Sequence, residues 1–479
     1  MDKRTKWSYC IGATGRDAAY ALVSMYLILY VQYTMNLSTA QYATISVIMI
    51  LCMVWDAVND LLMGIIIENS HMKFGKFKPW ILIGSLLNAF VIIGLFTIRP
   101  TGWGYVAFFA AGYLCWGMTY TMNDIAYWGL LPSLSSDPKV RDSLVTVMSV
   151  FICIGQFSVA GIVPIVIAGN AVVAYRTVAL IVALAFIAFQ MLTAFGVREN
   201  PEAKAQEHIS LRQMFGIFAR NDQLVVAGIS SILYNIANNL LIMFGVNFFY
   251  VEFGYSESGE LITLFTVMYG LGMLISQALY STLSKKFSRK QIISVCICAL
   301  VLGYLGLLGI GYVLPKNLIL LNAIGFLIFF FQGLYNLAVI VMINNTIEYD
   351  EVRFNERHDS VISAVRSFSV KLASGLNQGI CTLILIASGI YAVTKEISEL
   401  EATVGRGELE PEVARTTADG ILTTITGGQG LTLRLGMCLI PVVVLVISYV
   451  LLMKKYKIDE KKYNELLATI KGKKASDEG

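Results

Sequence analysis

The chain is poor in charge. Only 14% of its 479 residues are Asp, Glu, Lys or Arg, against roughly 25% in an ordinary soluble protein. That composition excludes a soluble globular domain. Histidine is scarce as well: His71, His208 and His358 are the only three, all in predicted loops, so none is placed to relay protons inside a membrane. The eight cysteines all fall in predicted membrane segments. Only Cys296 and Cys298 lie close together, and their i,i+2 spacing points them to different helix faces. Neither a disulfide framework nor a metal site is read from them. Enzyme signatures are missing too, with no Walker A loop, no His-Glu-x-x-His and no Gly-x-Ser-x-Gly. The expectation is a non-enzyme without a cofactor, driven by a gradient rather than by ATP bound to this chain. No nucleic-acid partner is expected. The basic start (Lys3, Arg4, Lys6) runs into a long apolar segment without a small-residue cleavage site, so no cleavable signal peptide is expected.

What the chain does have is apolar length. It is 56% hydrophobic, with a mean hydropathy of +0.68. Runs of about 20 apolar residues recur from end to end, which predicts an all-α polytopic membrane protein. Helices satisfy their own backbone groups and can therefore cross lipid. Twelve spans are predicted, at about 8–33, 40–66, 79–98, 103–131, 143–168, 172–196, 223–252, 258–283, 291–313, 317–347, 361–391 and 430–453.

Basic residues collect on one side of these spans. Lys73, Lys76, Lys78, Lys139, Arg141, Arg198, Lys204, Arg212, Arg220, Lys285, Lys286, Arg289, Lys290, Arg353, Arg357 and the lysine-rich tail fall with the N-terminus. The short loops opposite hold Arg99, Arg176 and Lys316. The positive-inside rule then makes both termini cytoplasmic in a cell membrane. The longest internal polar segment, 197–222, follows the sixth span. Basic loops also end the second span (Phe74-Gly-Lys-Phe-Lys-Pro79) and the eighth (Ser284-Lys-Lys-Phe-Ser-Arg-Lys290). The predicted organisation is a six-helix bundle over 1–196, a cytoplasmic central loop over 197–222, a second bundle over 223–453 and a cytoplasmic tail over 454–479, the plan of two six-helix repeats. Residues 394–429 form a polar extracytoplasmic loop with six glutamates. It reads equally as a solvated loop or as a short amphipathic helix, and no role is assigned to it.

A charge at the bilayer centre costs roughly 2.5–3.5 kcal/mol on insertion scales, so each one needs a reason. Arg16 and Asp17 lie in the first predicted span, Asp56 and Asp60 in the second, Asp124 in the fourth, Arg366 and Lys371 in the eleventh. Asp56, Asn59 and Asp60 share one helical face. Asp60 and Asp124 both fall roughly 10 Å inward of the midplane by residue count. With the Thr121 hydroxyl, these groups offer hard oxygen ligands suited to Na+ or to a proton on a crowded carboxyl group. The alternative is purely structural pairing of the acids with Arg16, Arg366 and Lys371. Trp128, four residues after Asp124, has the spacing of a sugar platform beside a carboxylate. Equally, it fits an interfacial aromatic, since several of the six tryptophans mark helix ends.

Several stretches, in order, resemble the glycoside–pentoside–hexuronide:cation symporter family of the major facilitator superfamily, and among its members the melibiose permeases. They are Gly15-Arg-Asp17, Trp55-Asp-Ala-Val-Asn-Asp60, Lys73-Phe-Gly-Lys-Phe-Lys-Pro79, Gly117-Met-Thr-Tyr-Thr121 through Asp124 and Trp128, Asn221-Asp-Gln-Leu224 with Tyr234-Asn235, and Glu348-Tyr-Asp through Lys371. The resemblance covers nearly the whole chain. It implies a major facilitator fold and cation-coupled sugar symport by alternating access, in a monomer. It also implies a cation site at Asp56, Asn59, Asp60 and Thr121, with Asp124 beside it, and sugar contacts at Asp17, Asp124, Trp128 and Lys371. Two positions depart from the pattern: Ser149 stands where the melibiose permeases have an arginine, and Asn336 where they have a tryptophan. Arg16, Ser149, Asn336 and Arg366 are therefore candidate specificity positions, and the sugar differs from melibiose. A carrier of lipids or other amphiphiles on the same fold is the alternative. A non-transporting sensor is disfavoured, because no sizeable soluble domain accompanies the spans.

Overall fold

The computed structural model describes residues 2–70, 72, 74–135, 138–198, 211–354 and 359–477. His71, Lys73, Lys204, His208, Arg357 and His358 lie outside them, as does much of the predicted central loop. Every long apolar run forms a helix. The chain opens with α1 (Lys3–Ala21), a π-helical turn (Leu22–Tyr26) and α2 (Leu27–Thr34), which together make the first predicted span. There follow α3 (Thr39–Glu68), α4 (Lys78–Thr97), α5 (Trp103–Leu134), α6 (Pro138–Ile167) and α7 (Ala171–Gly196). A short helix, α8 (Leu211–Arg220), lies in the predicted central loop, before α9 (Asp222–Phe253), α10 (Ser258–Lys286), α11 (Arg289–Gly309) and α12 (Leu318–Asn344). Then come α13 (Thr346–Phe354), α14 (Asp359–Ala387), α15 (Ile390–Gly405), α16 (Pro411–Leu422), α17 (Gly427–Lys455) and α18 (Glu460–Asp477). The polar 394–429 segment is thus largely two helices, α15 and α16. The charged tail after Lys454 is helical as well.

Local chemistry sets several of the starts. Ser38 and Ser288 each accept from the backbone N–H of a glutamine three residues on, and that glutamine's side chain returns the bond, closing capping boxes on α3 and α11. Pro79 sits in the first turn of α4, where no N–H is needed.

Among the described residues, ten helices are long and apolar enough to cross a membrane. The other two predicted spans are α1–α2 and α5. These carry Arg16, Asp17 and Asp124.

The chain forms two compact units: Met1–His208 with Val246–Thr266 and Thr382–Gly430, and Ile209–Gly245 with Val267–Cys381 and Leu431–Gly479. In the first unit, buried Tyr9, Met63, Ile81, Tyr127, Leu144 and Met148 join α1, α3, α4, α5 and α6 in one core. Tyr9 and Tyr127 stack at 4.7 Å, and each hydroxyl donates to the other's backbone carbonyl. Buried amides tie the helices laterally. Asn88 of α4 donates to Trp116 O (3.0 Å) and Thr119 Oγ1 (2.8 Å), and Asn123 of α5 donates to Ile81 O (2.8 Å). Gln190 of α7 donates to Gly12 O of α1 at 2.9 Å. In a membrane each such bond is worth roughly 0.6–2 kcal/mol. Helix α5 is therefore clamped on both sides of Thr121.

The second unit uses the same device. Gln332 of α12 donates to Tyr304 Oη (2.8 Å), which donates to Ala237 O of α9 (3.3 Å). Ser448 of α17 bonds Tyr335 Oη (2.7 Å) and donates to Ser230 O (3.2 Å).

Candidate functional site

The residues singled out in the first unit come from α1, α3, α5 and α6. Arg16 and Asp17 are both buried, at 2% and 6% exposed. The guanidinium grips its neighbour, with Nε and Nη2 donating to Asp17 Oδ2 at 3.0 and 2.7 Å. Arg16 Nη1 lies 3.2 Å from Asp124 Oδ1 on α5. The same guanidinium sits 4.6 Å over the Tyr127 ring and 5.4 Å over the Trp128 ring. One buried cation therefore joins two carboxylates and two aromatic faces. Asp17 is enclosed, whereas the Asp124 side chain is about one-third exposed. Asp124 and the half-exposed Trp128 thus present the accessible side of the group.

Gln156 of α6 completes it, donating to Asp17 Oδ1 at 3.2 Å. The sequence reading missed this residue. An amide in a membrane helix lacks the insertion cost that makes a charge stand out. Its neighbour shows why it can reach: a Cβ on Gly155 would lie 2.3 Å from Thr14 O, so only glycine lets α6 come this near to α1. Beyond Asp17, the helix passes into the π-helical turn at Leu22–Tyr26, a local widening that recurs at functional sites.

The second group lies along α3 and α5. Thr121 is buried and its hydroxyl donates to Asp60 Oδ1 at 3.1 Å. Asn59 is 3% exposed, and Asp56 and Asp60 are half-buried. Asp56 lies against α5 one turn before Thr121: a Cβ on Gly117 would fall 2.4 Å from Asp56 Oδ1. The helical spacing of Gly117, Thr121 and Asp124 puts all three on one face. Asp56 and Asp60 thus stand against α5 beside that face, and Asp124 continues it toward Arg16. Among the described residues no three His, Cys, Asp or Glu side chains converge as a metal cluster. Oxygen donation here combines carboxylate, amide and hydroxyl groups, as hard monovalent cations accept.

The remaining candidates divide between the units. Ser149 on α6 is exposed, and its hydroxyl donates to Val145 O at 2.8 Å. Lys371 and Arg366 on α14 and Asn336 on α12 belong to the second unit; Lys371 and Asn336 are half-buried and Arg366 is exposed. That unit also brings together two stretches that the sequence reading quoted separately. Asn221 donates to Thr346 O and to Asp350 Oδ1, both at 3.3 Å, and Asp222 accepts from Tyr349 Oη (3.0 Å) and pairs with Arg353.

Comparison with known proteins gives the family and the fold. The model of the family described as MFS/sugar transport protein matches residues 8–460. The chain is 26% identical to a lactose permease of Lactobacillus helveticus, over 98% of this chain and 72% of the permease. It is 24% identical to the raffinose carrier protein of Pediococcus pentosaceus, over 96% of this chain and 70% of the carrier. Among solved structures, a bacterial homologue of the human lysosomal transporter Spinster superposes with a TM-score of 0.63 at 12% identity, covering 96% of this chain and all of that one. That likeness is one of fold.

Proposed function

The chain belongs to the MFS/sugar transport family, and from that premise we propose that it couples sugar uptake to the inward movement of Na+ or H+ by alternating access. It is a multi-pass membrane transporter of the major facilitator fold and not an enzyme. In the proposed topology both termini face the cytoplasm of a bacterial cell, and residues 1–196 and 223–453 act as the two rocking halves about the central loop. A single chain holds both halves, so a monomer suffices.

One observation carries the reading. Helix α5 holds Thr121, bonded to Asp60, and Asp124, paired with Arg16, three residues apart on one face. A cation held by Asp56, Asn59, Asp60 and Thr121, with Asp124 at its edge, would pull on the same helix that presents Asp124 and Trp128 to a sugar. A sugar ring stacked on Trp128 would give its hydroxyls to Asp124 and Asp17. Arg16 orients both carboxylates as acceptors. By the resemblance, Lys371 is a further donor to the sugar. Ser149, Asn336 and Arg366 then set which glycoside, pentoside or hexuronide is taken. Shared use of α5 gives reciprocal coupling: the cation raises sugar affinity by the factor by which sugar raises cation affinity.

The test is uptake into proteoliposomes from a panel of sugars, with and without an imposed Na+ or proton gradient. Asp60→Asn should abolish gradient-driven accumulation while leaving folded protein in the membrane. Accumulation at the parent level in that variant would remove Asp60 from the cation site.

A further inference from the structure

Helices α15 and α16, at the end of the bundle opposite the termini, are more than a solvated loop. The inner stripe of α15 is Tyr391, Thr394, Ile397, Ser398, Glu401 and Val404, all buried at helical spacing. Its polar members each take a partner on another element. Tyr391 Oη donates to Leu37 O at 3.0 Å, Asn36 N–H donates to Ser398 Oγ at 2.9 Å, and Gln32 Nε2 donates to Thr394 Oγ1 at 3.3 Å. From α16, Arg415 Nε donates to Ala168 O at 2.9 Å. Asp419 accepts from the backbone N–H groups of Tyr255 and Ser256 and from the Ser256 hydroxyl. The hairpin therefore holds three connections at once: α2–α3, α6–α7 and α9–α10. All of these residues lie within the first compact unit.

Glu401 is the centre of this arrangement. It is 1% exposed. Its Oε2 accepts from Ala171 N–H at 2.6 Å, in the first turn of α7, where the helix dipole favours an anion. Its Oε1 accepts from Tyr255 Oη at 2.7 Å. Ala171 belongs to the first six spans of the sequence and Tyr255 to the second six. A single buried carboxylate thus bridges the two sequence halves. Few residues are harder to bury than a glutamate, and a charge-assisted bond is about twice as strong as a neutral one.

We propose that residues 390–422 are a strap closing the extracytoplasmic gate, with Glu401 as its latch. The proposal rests on alternating access and on the topology given above. Opening that side must part Ala171 from Tyr255, and the carboxylate cannot keep both. Release would expose the strap's inner stripe to the extracytoplasmic solution.

The test places a reporter on that stripe. Ser398→Cys is a conservative change at a buried position. Membrane-impermeant maleimide is added to the side opposite the termini, and its rate of reaction is compared with Glu401 intact, with Glu401→Gln and with Glu401→Ala, over the labelling of the parent protein. Loss of the latch should speed labelling about tenfold in Glu401→Ala, the change expected when one charge-assisted hydrogen bond leaves an opening equilibrium. Glu401→Gln should fall between. Reagent added on the terminal side should show no such increase. If Glu401→Ala does not purify as a single folded species, Arg415→Ala and Asp419→Asn carry the same prediction from α16. Equal labelling rates in every folded variant would overturn the latch. The readout needs no substrate, so failure of sugar uptake would sink the proposed function and leave this result standing.

Discussion

The Thr121 hydroxyl donates to Asp60 Oδ1 at 3.1 Å, and three residues later on the same helix Asp124 Oδ1 lies 3.2 Å from Arg16 Nη1. The proposed cation ligands and sugar ligands therefore share α5, which is itself held by Asn88 and Asn123. Thr121→Val keeps the shape and removes the hydroxyl. It should lower apparent cation affinity by about tenfold, the worth of one hydrogen bond to a charged partner. Thr121→Ser should restore it. Cation titration of sugar binding in detergent checks both, and an unchanged midpoint in Thr121→Val would take the hydroxyl out of the site.

Gly117→Ala separates stability from function. A Cβ there would stand 2.4 Å from Asp56 Oδ1, so the carboxylate must swing away from α5. The helix itself gains, since alanine is favoured over glycine by about 1 kcal/mol in a helix interior. The expected result is a protein that expresses and melts near the parent, with cation-dependent uptake reduced at least about tenfold. Parent-level uptake would mean that the position of Asp56 against α5 is unimportant.

The residues of the proposed cation site were conspicuous in the sequence for a local reason. Charges in apolar runs are conspicuous, and Asp56, Asn59 and Asp60 fall on one face by spacing alone. The twelve spans were legible for the same reason, apolar length. Three features were not. Gln156 carries no charge, and its contact with Asp17 depends on how closely α6 packs at Gly155. Glu401 is one of six glutamates in a polar stretch. What distinguishes it is burial against Ala171 and Tyr255, which lie 230 and 146 residues away in sequence. The compact units were not legible either: residues 246–266 and 382–430 group with the first helices, whereas hydropathy and charge divide the chain after the sixth span.

Arg16 should matter for folding as well as for substrate. Two carboxylates depend on one buried guanidinium. Removing one partner of such a buried pair costs about 3–5 kcal/mol, because charge is left uncompensated. Arg16→Ala should therefore lower the melting temperature in detergent and the yield of folded protein, whereas Asp17→Asn with Arg16→Ala together should recover part of the loss. Arg16→Lys, with one point charge in place of a planar fork, should fold and bind sugar weakly. Size-exclusion profiles after heating give the first comparison, and equilibrium sugar binding the second. An Arg16→Ala protein as stable as the parent would contradict the pairing.

The Glu401 latch also makes a pH prediction. Burial pushes this carboxyl above its ordinary value of 4.5, while the bonds from Tyr255, Ala171 and Gly169 and the charge of Arg415 pull it back only in part. Tyr175 and Tyr250 also face it. Of the groups that meet here, the carboxyl is the one whose ordinary value lies in this pH range, so Glu401 is the group that titrates. In the open form the carboxyl meets water and returns toward 4.5. The closed form therefore binds the proton more tightly, and falling pH favours closure. Both protonation states hold the strap, but burial weakens the hold of the ionised carboxylate relative to the protonated one, and that difference disappears as pH drops through the raised value. Labelling of the Ser398→Cys reporter should slow as the outside solution is taken from neutrality toward 4.5. The ratio to the same reporter in Glu401→Gln cancels the pH dependence of the thiol. A ratio that stays flat, or that rises on acidification, would show that Glu401 does not change its proton affinity as the strap opens.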